Sequence, residues 1–106
     1  MEFNKDLKLV ISIVRAEHTE EVITALEKAG AAGWSIVRGR GASSRSQLKV
    51  FGMRLEPMKE VIYTIVPDTH AVQVMQTACE VGQLNEPGNG ISFIVNVEAA
   101  AGVLFG

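Results

Sequence analysis

The sequence predicts an α+β chain of the ferredoxin-like kind, a βαββαβ sandwich. Its four-stranded antiparallel sheet carries two helices on one face, with a long loop between the second and third strands. Three observations carry this. Segments of strand and helix character alternate as strand, helix, strand, then again strand, helix, strand. Between the two halves lies a stretch, residues 39–56, with no sustained hydrophobic period. The 106 residues and 11.4 kDa suit one small domain over 1–106, and two right-handed βαβ units fill it most simply by interlocking in one sheet.

In the first strand Leu7, Leu9, Ile11 and Ile13 alternate with Lys8, Val10, Ser12 and Val14, and the second row is itself half apolar. A strand apolar on both faces reads as central. Thr19 is placed to cap a helix whose first turn holds Glu20 and Glu21, favourable against the helix dipole. Its apolar stripe is Val22, Ala25, Leu26 and Ala29, and Gly30 ends it. Trp34 and Ile36 alternate with Ser35 and Val37 in a short strand between Gly33 and Gly39. The run Met58 to Val66 after Pro57 is rich in β-branched residues and forms the third strand, with Pro67-Asp68 as its stop and the next cap. Ala71, Val74, Met75 and Ala78 at helical spacing define the second helix, with Gly82 just past its end. After the turn-rich stretch Asn85 to Gly90, Ile91, Phe93, Val95 and Val97 mark the last strand. The tail 99–106 is small and apolar. Val10, Val14, Ile62, Val66 and Ile94 are expected on the sheet face away from the helices, where an apolar surface would call for oligomerisation. Trp34 and Phe93 are expected in the core.

Composition excludes several classes. With 47% apolar and 21% charged residues the chain is ordinarily globular, neither disordered nor collagen-like. No apolar run approaches the roughly 20 residues that cross a bilayer, and Met1 to Asp6 is too polar to open a signal peptide, so the expected location is the cytoplasm without membrane insertion. Cys79 is the single cysteine, which rules out a disulfide within one chain. Charge is uneven: residues 38–59 carry Arg38, Arg40, Arg45, Lys49, Arg54 and Lys59 against Glu56, a net +5, so the rest sum to -7 for the total of -2. An acidic body with a basic segment points to an anionic partner there.

Within that frame Gly39-Arg40-Gly41 opens the long loop after a strand, where free backbone N–H groups can cradle a phosphate and arginine can add a bidentate contact. Gly88-Asn89-Gly90 before the last strand is a second such turn. Neither a dinucleotide fingerprint nor a P-loop spacing is present, and glycines that simply turn the chain are the plainer explanation of each. His18 and His70 sit at helix starts without metal-ligand spacing, and both read as solvent-exposed. Cys79 beside Ala78 reads as a small core residue with nothing to lower its pKa. Glu20 and Glu21 have no cleft in which to act as an acid/base pair. The basic segment lacks interleaved aromatics, so nucleic acid is not the expected partner.

Taken in order, the two βαβ halves, Gly30-Ala-Ala-Gly33 before the second strand, Gly39-Arg-Gly41, Pro57 to Val66 and Gly88-Asn-Gly90-Ile-Ser-Phe93 resemble the PII nitrogen-regulatory signalling proteins over about residues 7–98. The resemblance implies a homotrimer that binds an effector of the ATP, ADP or AMP type between subunits, with magnesium left open and no covalent cofactor. The expected nucleotide contacts are Arg38, Gly39, Arg40, Gly41, Gly88, Asn89 and Gly90. Residues 40–57 would be the T-loop, with Ser43, Ser44, Arg45, Gln47, Lys49, Phe51 and Arg54 meeting a regulated protein such as a membrane transporter or a nitrogen-metabolism target. No metal or catalytic residue is implied.

Departures from the family pattern bear on affinity. Ile91 stands where the family's phosphate-facing turn carries lysine, the tail Ala99 to Gly106 lacks arginines, and Gln47 lies too far along to match the glutamine used for 2-oxoglutarate. The T-loop is shorter and lacks the tyrosine that some members modify. Two or three lost charge-assisted contacts, at roughly 1.5 to 3 kcal/mol each, weaken a triphosphate by orders of magnitude unless Arg38, Arg40, Arg45 or Lys59 replaces them. The alternative expectation is a CutA-like trimer that binds a metal or other small molecule without a nucleotide response. A third, an enzyme using His18, His70 or Cys79, rests on fold alone.

Overall fold

In the computed structural model the described residues are 3–4, 6–40, 49–50, 53–54 and 58–102. The main elements are β1 (Leu7–Arg15), α1 (Thr19–Lys28), β2 (Ser35–Arg40), β3 (Met58–Pro67), α2 (Asp68–Val81) and β4 (Ile91–Val97). The four strands form one antiparallel sheet in the order β2-β3-β1-β4. This is the ferredoxin-like sheet that the strand and helix order predicts.

Register fixes which side chains face the helices. β1 pairs with β3 from Leu7 opposite Pro67 to Arg15 opposite Lys59, and with β4 from Leu7 opposite Val97 to Ile13 opposite Ile91. Because side chains alternate, Val10, Ser12 and Val14 share a face with Ile62, Thr64 and Val66. That layer is buried against Val22, Ile23 and Leu26 of α1 and Ala71, Val74 and Ala78 of α2. Each fully buried Val, Leu or Ile contributes about 1.5–3 kcal/mol. Ser12 lies within the apolar layer and pairs its hydroxyl with that of Ser92 at 2.9 Å.

Local chemistry sets the helix limits. In α1, Glu20 and Glu21 occupy the first turn and Lys28 the last, and the Ala29 N–H closes on the Ala25 carbonyl at 3.0 Å. Gly30 then takes φ +110°, which an L side chain resists. β3 runs directly into α2: Pro67 is at once the last strand residue and the N-cap, and the Asp68 N–H donates to the Asp6 carbonyl at 3.0 Å. Past α2, Gln83 adopts φ +54°.

The structure corrects several expectations. The sheet faces are reversed: Val10, Val14, Ile62 and Val66 are fully buried under the helices, with Ile94 partly buried against the same core. The uncovered face instead carries Val37, Tyr63, Ile91, Phe93 and Val95, all exposed. Both rows of β1 and β3 are apolar, so alternation alone does not say which one the helices cover. Phe93 therefore lies outside the core, while Trp34 is partly buried against it. Thr19 is the first residue of α1, with His18 at the N-cap and no side-chain capping bond. His18 is half-buried rather than exposed, whereas His70 is exposed; Cys79 is half-buried. β2 extends through Gly39 and Arg40 instead of stopping before them.

Two short ribbons lie outside the predicted pattern. Lys49–Val50 pairs with Met53–Arg54, and Phe3–Asn4 pairs with Ala100–Ala101, so part of the apolar tail is strand. Gly41, Ser43, Ser44, Arg45, Gln47 and Phe51 lie outside the described residues, as does most of the loop assigned to residues 40–57.

Candidate binding site at one end of the sheet

Antiparallel register gathers the candidate groups at one sheet end. The end of β1 (Ile13 to Arg15), the start of β3, the end of β2 and the start of β4 all meet there. Gly39 sits opposite Lys59, Arg38 opposite Glu60 and Arg40 opposite Met58. Lys59 in turn lies opposite Arg15 on its other side, and Ile91 opposite Ile13. At about 4.8 Å per strand, Gly39 and the turn 88–90 flank opposite edges of this end, roughly 14 Å apart within one chain.

Lys59 joins the two. It is only 4% exposed, and its ammonium donates to the Gly88 carbonyl. Burial, and then the Arg15 guanidinium beside it, hold its pKa below the usual 10.5. Gly39, directly across the ladder, has no side chain to crowd it. Arg15 itself is held by Glu17 at 2.6 Å. Arg38 is largely exposed and lies 4.0 Å from Glu60, and Arg40 is exposed.

The turn before β4 is built from backbone. Gly88 takes φ +84° and Gly90 φ +142°, both in the region that favours glycine. A Cβ on Gly90 would lie 1.8 Å from the Ile13 carbonyl oxygen, so β1 and the turn touch backbone to backbone. Asn89 is buried, donating its side-chain amide to the Gln83 carbonyl at 2.9 Å and its backbone N–H to the Glu86 carbonyl at 3.2 Å. Its side chain therefore holds the turn and does not point outward. Ile91, the first residue after the turn, is 56% exposed.

Further along the uncovered face is a cavity of about 380 Å³ lined by Leu9, Gly33, Trp34, Ser35, Tyr63 and Ile65. Tyr63 shares a strand face with Lys59 four residues away, roughly 13 Å along β3. Neither this cavity nor the part played by Arg15 is foreseen by motif reading. Lys59 near the start of β3, and two aromatics, Trp34 just before β2 and Tyr63 on the neighbouring β3, are the signals that point to them.

The other candidates do not converge. His18 precedes α1 near the end of β1, and His70 opens α2 beyond the end of β3, so antiparallel pairing puts them at opposite ends of the sheet. Among the described residues no group of three His, Cys, Asp or Glu side chains could hold a metal ion. Glu20 and Glu21, expected to lack a cleft, rim an open depression of about 430 Å³ that Lys28 and Val81 also line. Among the described residues no helix is long and apolar enough to cross a membrane.

Fold and sheet end define a ferredoxin-like chain whose Gly88–Gly90 turn meets the buried Lys59 at the strand ends. The model of the family described as nitrogen regulatory protein P-II matches residues 7–103, and the chain belongs to that family of signal-transduction regulators. It is 31% identical over 105 residues to nitrogen regulatory protein GlnK2 of Haloferax mediterranei, a match covering 94% of this chain and 85% of that one. It is 33% identical over 98 residues to nitrogen regulatory protein P-II 2 of Methanothermobacter thermautotrophicus, covering 87% and 84%. The crystal structure of Arabidopsis thaliana PII bound to citrate is similar at a TM-score of 0.72 and 25% identity, over 97% of this chain and 88% of that one.

Proposed function

We propose that this chain is a cytoplasmic, trimeric regulator that acts by binding rather than catalysis. It takes an adenine nucleotide between subunits and signals through the segment 40–57 to a partner protein such as a membrane transporter. The observation that carries the nucleotide reading is the contact between Lys59 and the Gly88–Gly90 turn. A buried ammonium beside a turn with two glycines at positive φ brings charge and backbone N–H groups suited to an anion. Lys59 begins the strand that leaves the long loop, so an anion that draws the ammonium off Gly88 acts on the loop's anchor. Binding must differ between loop states for a signal to pass. The uncovered apolar face supports assembly, and the cavity beside Trp34 and Tyr63 provides a place for the base.

Isothermal titration with ATP, ADP, AMP and cyclic AMP, with and without magnesium and 2-oxoglutarate, tests the reading. Saturable binding that weakens about 10- to 100-fold in Lys59→Ala is expected for a lost charge-assisted contact. A folded trimer that binds none of these nucleotides contradicts it and favours the CutA-like alternative.

A further inference from the structure

We infer that Glu17 is a built-in competitor of the anionic effector: its carboxylate occupies the Arg15 guanidinium until the effector's phosphate displaces it, so Glu17 sets how tightly the anion is held. This rests on the nucleotide reading above and adds a positioning residue to it. Register puts Arg15 in the middle of the sheet end. It lies directly opposite Lys59 of β3, and β1 runs two residues past its last pairing with β4, Ile13 opposite Ile91, which carries Arg15 alongside the Gly88–Gly90 turn. Arg15 thus stands between the buried ammonium of Lys59 and the turn to which that ammonium donates.

Straight after β1 the chain winds into a short 3-10 turn, Ala16–His18, and this brings Glu17 back onto Arg15, Nε to Oε1 at 2.6 Å. Their side chains are 32% and 60% exposed, and an ion pair so open to water adds little to stability. The pair is also incomplete. The Arg15 Nε–H is buried without a hydrogen-bond partner among the described residues, so Glu17 neutralises the guanidinium without satisfying it. A guanidinium presents a planar fork of donors that phosphate oxygens engage two at a time. Lys59 feels the same cation, since after burial it is Arg15 that lowers its pKa. An anion beside both relieves that repulsion, and its gain is offset by the carboxylate it must displace from Arg15.

Glu17→Gln keeps the size of the side chain and removes its charge. Calorimetric titration of the full chain with ADP compares wild type, Glu17→Gln, Arg15→Gln and the double variant, with adenosine measured by displacement of ADP. The expected result is ADP held about three- to tenfold more tightly by Glu17→Gln, with adenosine unchanged. In the Arg15→Gln background, Glu17→Gln is expected to bring no gain. Arg15→Met repeats the cycle with the aliphatic packing kept. ADP affinity that is unchanged or lower in Glu17→Gln overturns the inference while leaving nucleotide binding intact. An equal gain for adenosine also overturns it, because the effect then lies in the fold and not in the charge. A gain that survives the loss of Arg15 overturns it by making the effect one of overall charge. ADP binding by none of these chains overturns the reading on which the inference rests, and the inference with it.

Discussion

Lys59 sets the chemistry of the sheet end. Its charged form is disfavoured in the folded chain by burial and by Arg15, so it holds its proton less tightly folded than unfolded. Between the lowered folded pKa and the unfolded 10.5 the unfolded chain binds more protons, and stability rises with pH across that window. The stability of the wild-type chain relative to Lys59→Met should therefore increase between pH 7 and 10.5, read from urea midpoints; a constant offset would contradict it. Thr64 gives a simpler case. It is 1% exposed among Ile62, Val66 and Val10, and its hydroxyl has no hydrogen-bond partner among the described residues. Thr64→Val keeps the shape and removes an unsatisfied polar group, so it should stabilise by about 1 kcal/mol in chemical denaturation. Gly90→Ala should do the reverse: positive φ and a close Ile13 carbonyl together cost roughly 2–4 kcal/mol, visible as a Tm lowered by about 10 °C or more.

At the scale of elements, the turn Gln83–Gly90 is a bracket between α2 and β4. Asn89 ties its end to Gln83, and Gly90 seats it on β1. Asn89→Ala removes the bond at 2.9 Å and should lower stability by about 1 kcal/mol while weakening nucleotide binding several-fold, because the turn no longer holds its backbone groups in place. How much of this was legible in the sequence depends on whether the signal was local. The helix stripes Val22, Ala25, Leu26 and Ala71, Val74, Ala78, and the strand alternations, locate all six main elements. Gly88-Asn89-Gly90 announces its turn because glycine is the residue such backbone needs. The sheet face was not legible: β1 and β3 are apolar on both sides, and the choice is made by packing against helices distant in sequence. The pairing of Phe3–Asn4 with Ala100–Ala101 joins the two ends of the chain and leaves no local trace. Lys59 could be read as a spare cation, but its reach to Gly88 depends on the register of three strands.

For the molecule as a whole, the uncovered sheet face is the main unresolved surface energy. Val37, Tyr63, Ile91, Phe93 and Val95 expose apolar side chains on one side of a twisted sheet, where isolated apolar residues would need no explanation but a contiguous row does. In the proposed assembly the Ile91, Phe93 and Val95 part of this face is covered and the Gly88–Gly90 turn of one copy comes towards its neighbour. Ile91 belongs to both places, directly after the turn and on the apolar face, where it is 56% exposed. Phe93→Glu should convert the proposed assembly to monomers in light scattering, and nucleotide affinity should fall with it if the site lies between copies as proposed. In the proposed complex an anionic effector sits between copies, with its phosphate at Lys59 and the Gly88–Gly90 turn. The most direct test is a crystal structure grown with saturating ADP. The expected result is a trimer with phosphate density at Gly88–Gly90 and Lys59 of one copy and the base against Trp34 of a neighbour. Well-ordered ADP elsewhere, or an empty sheet end at saturation, would contradict it.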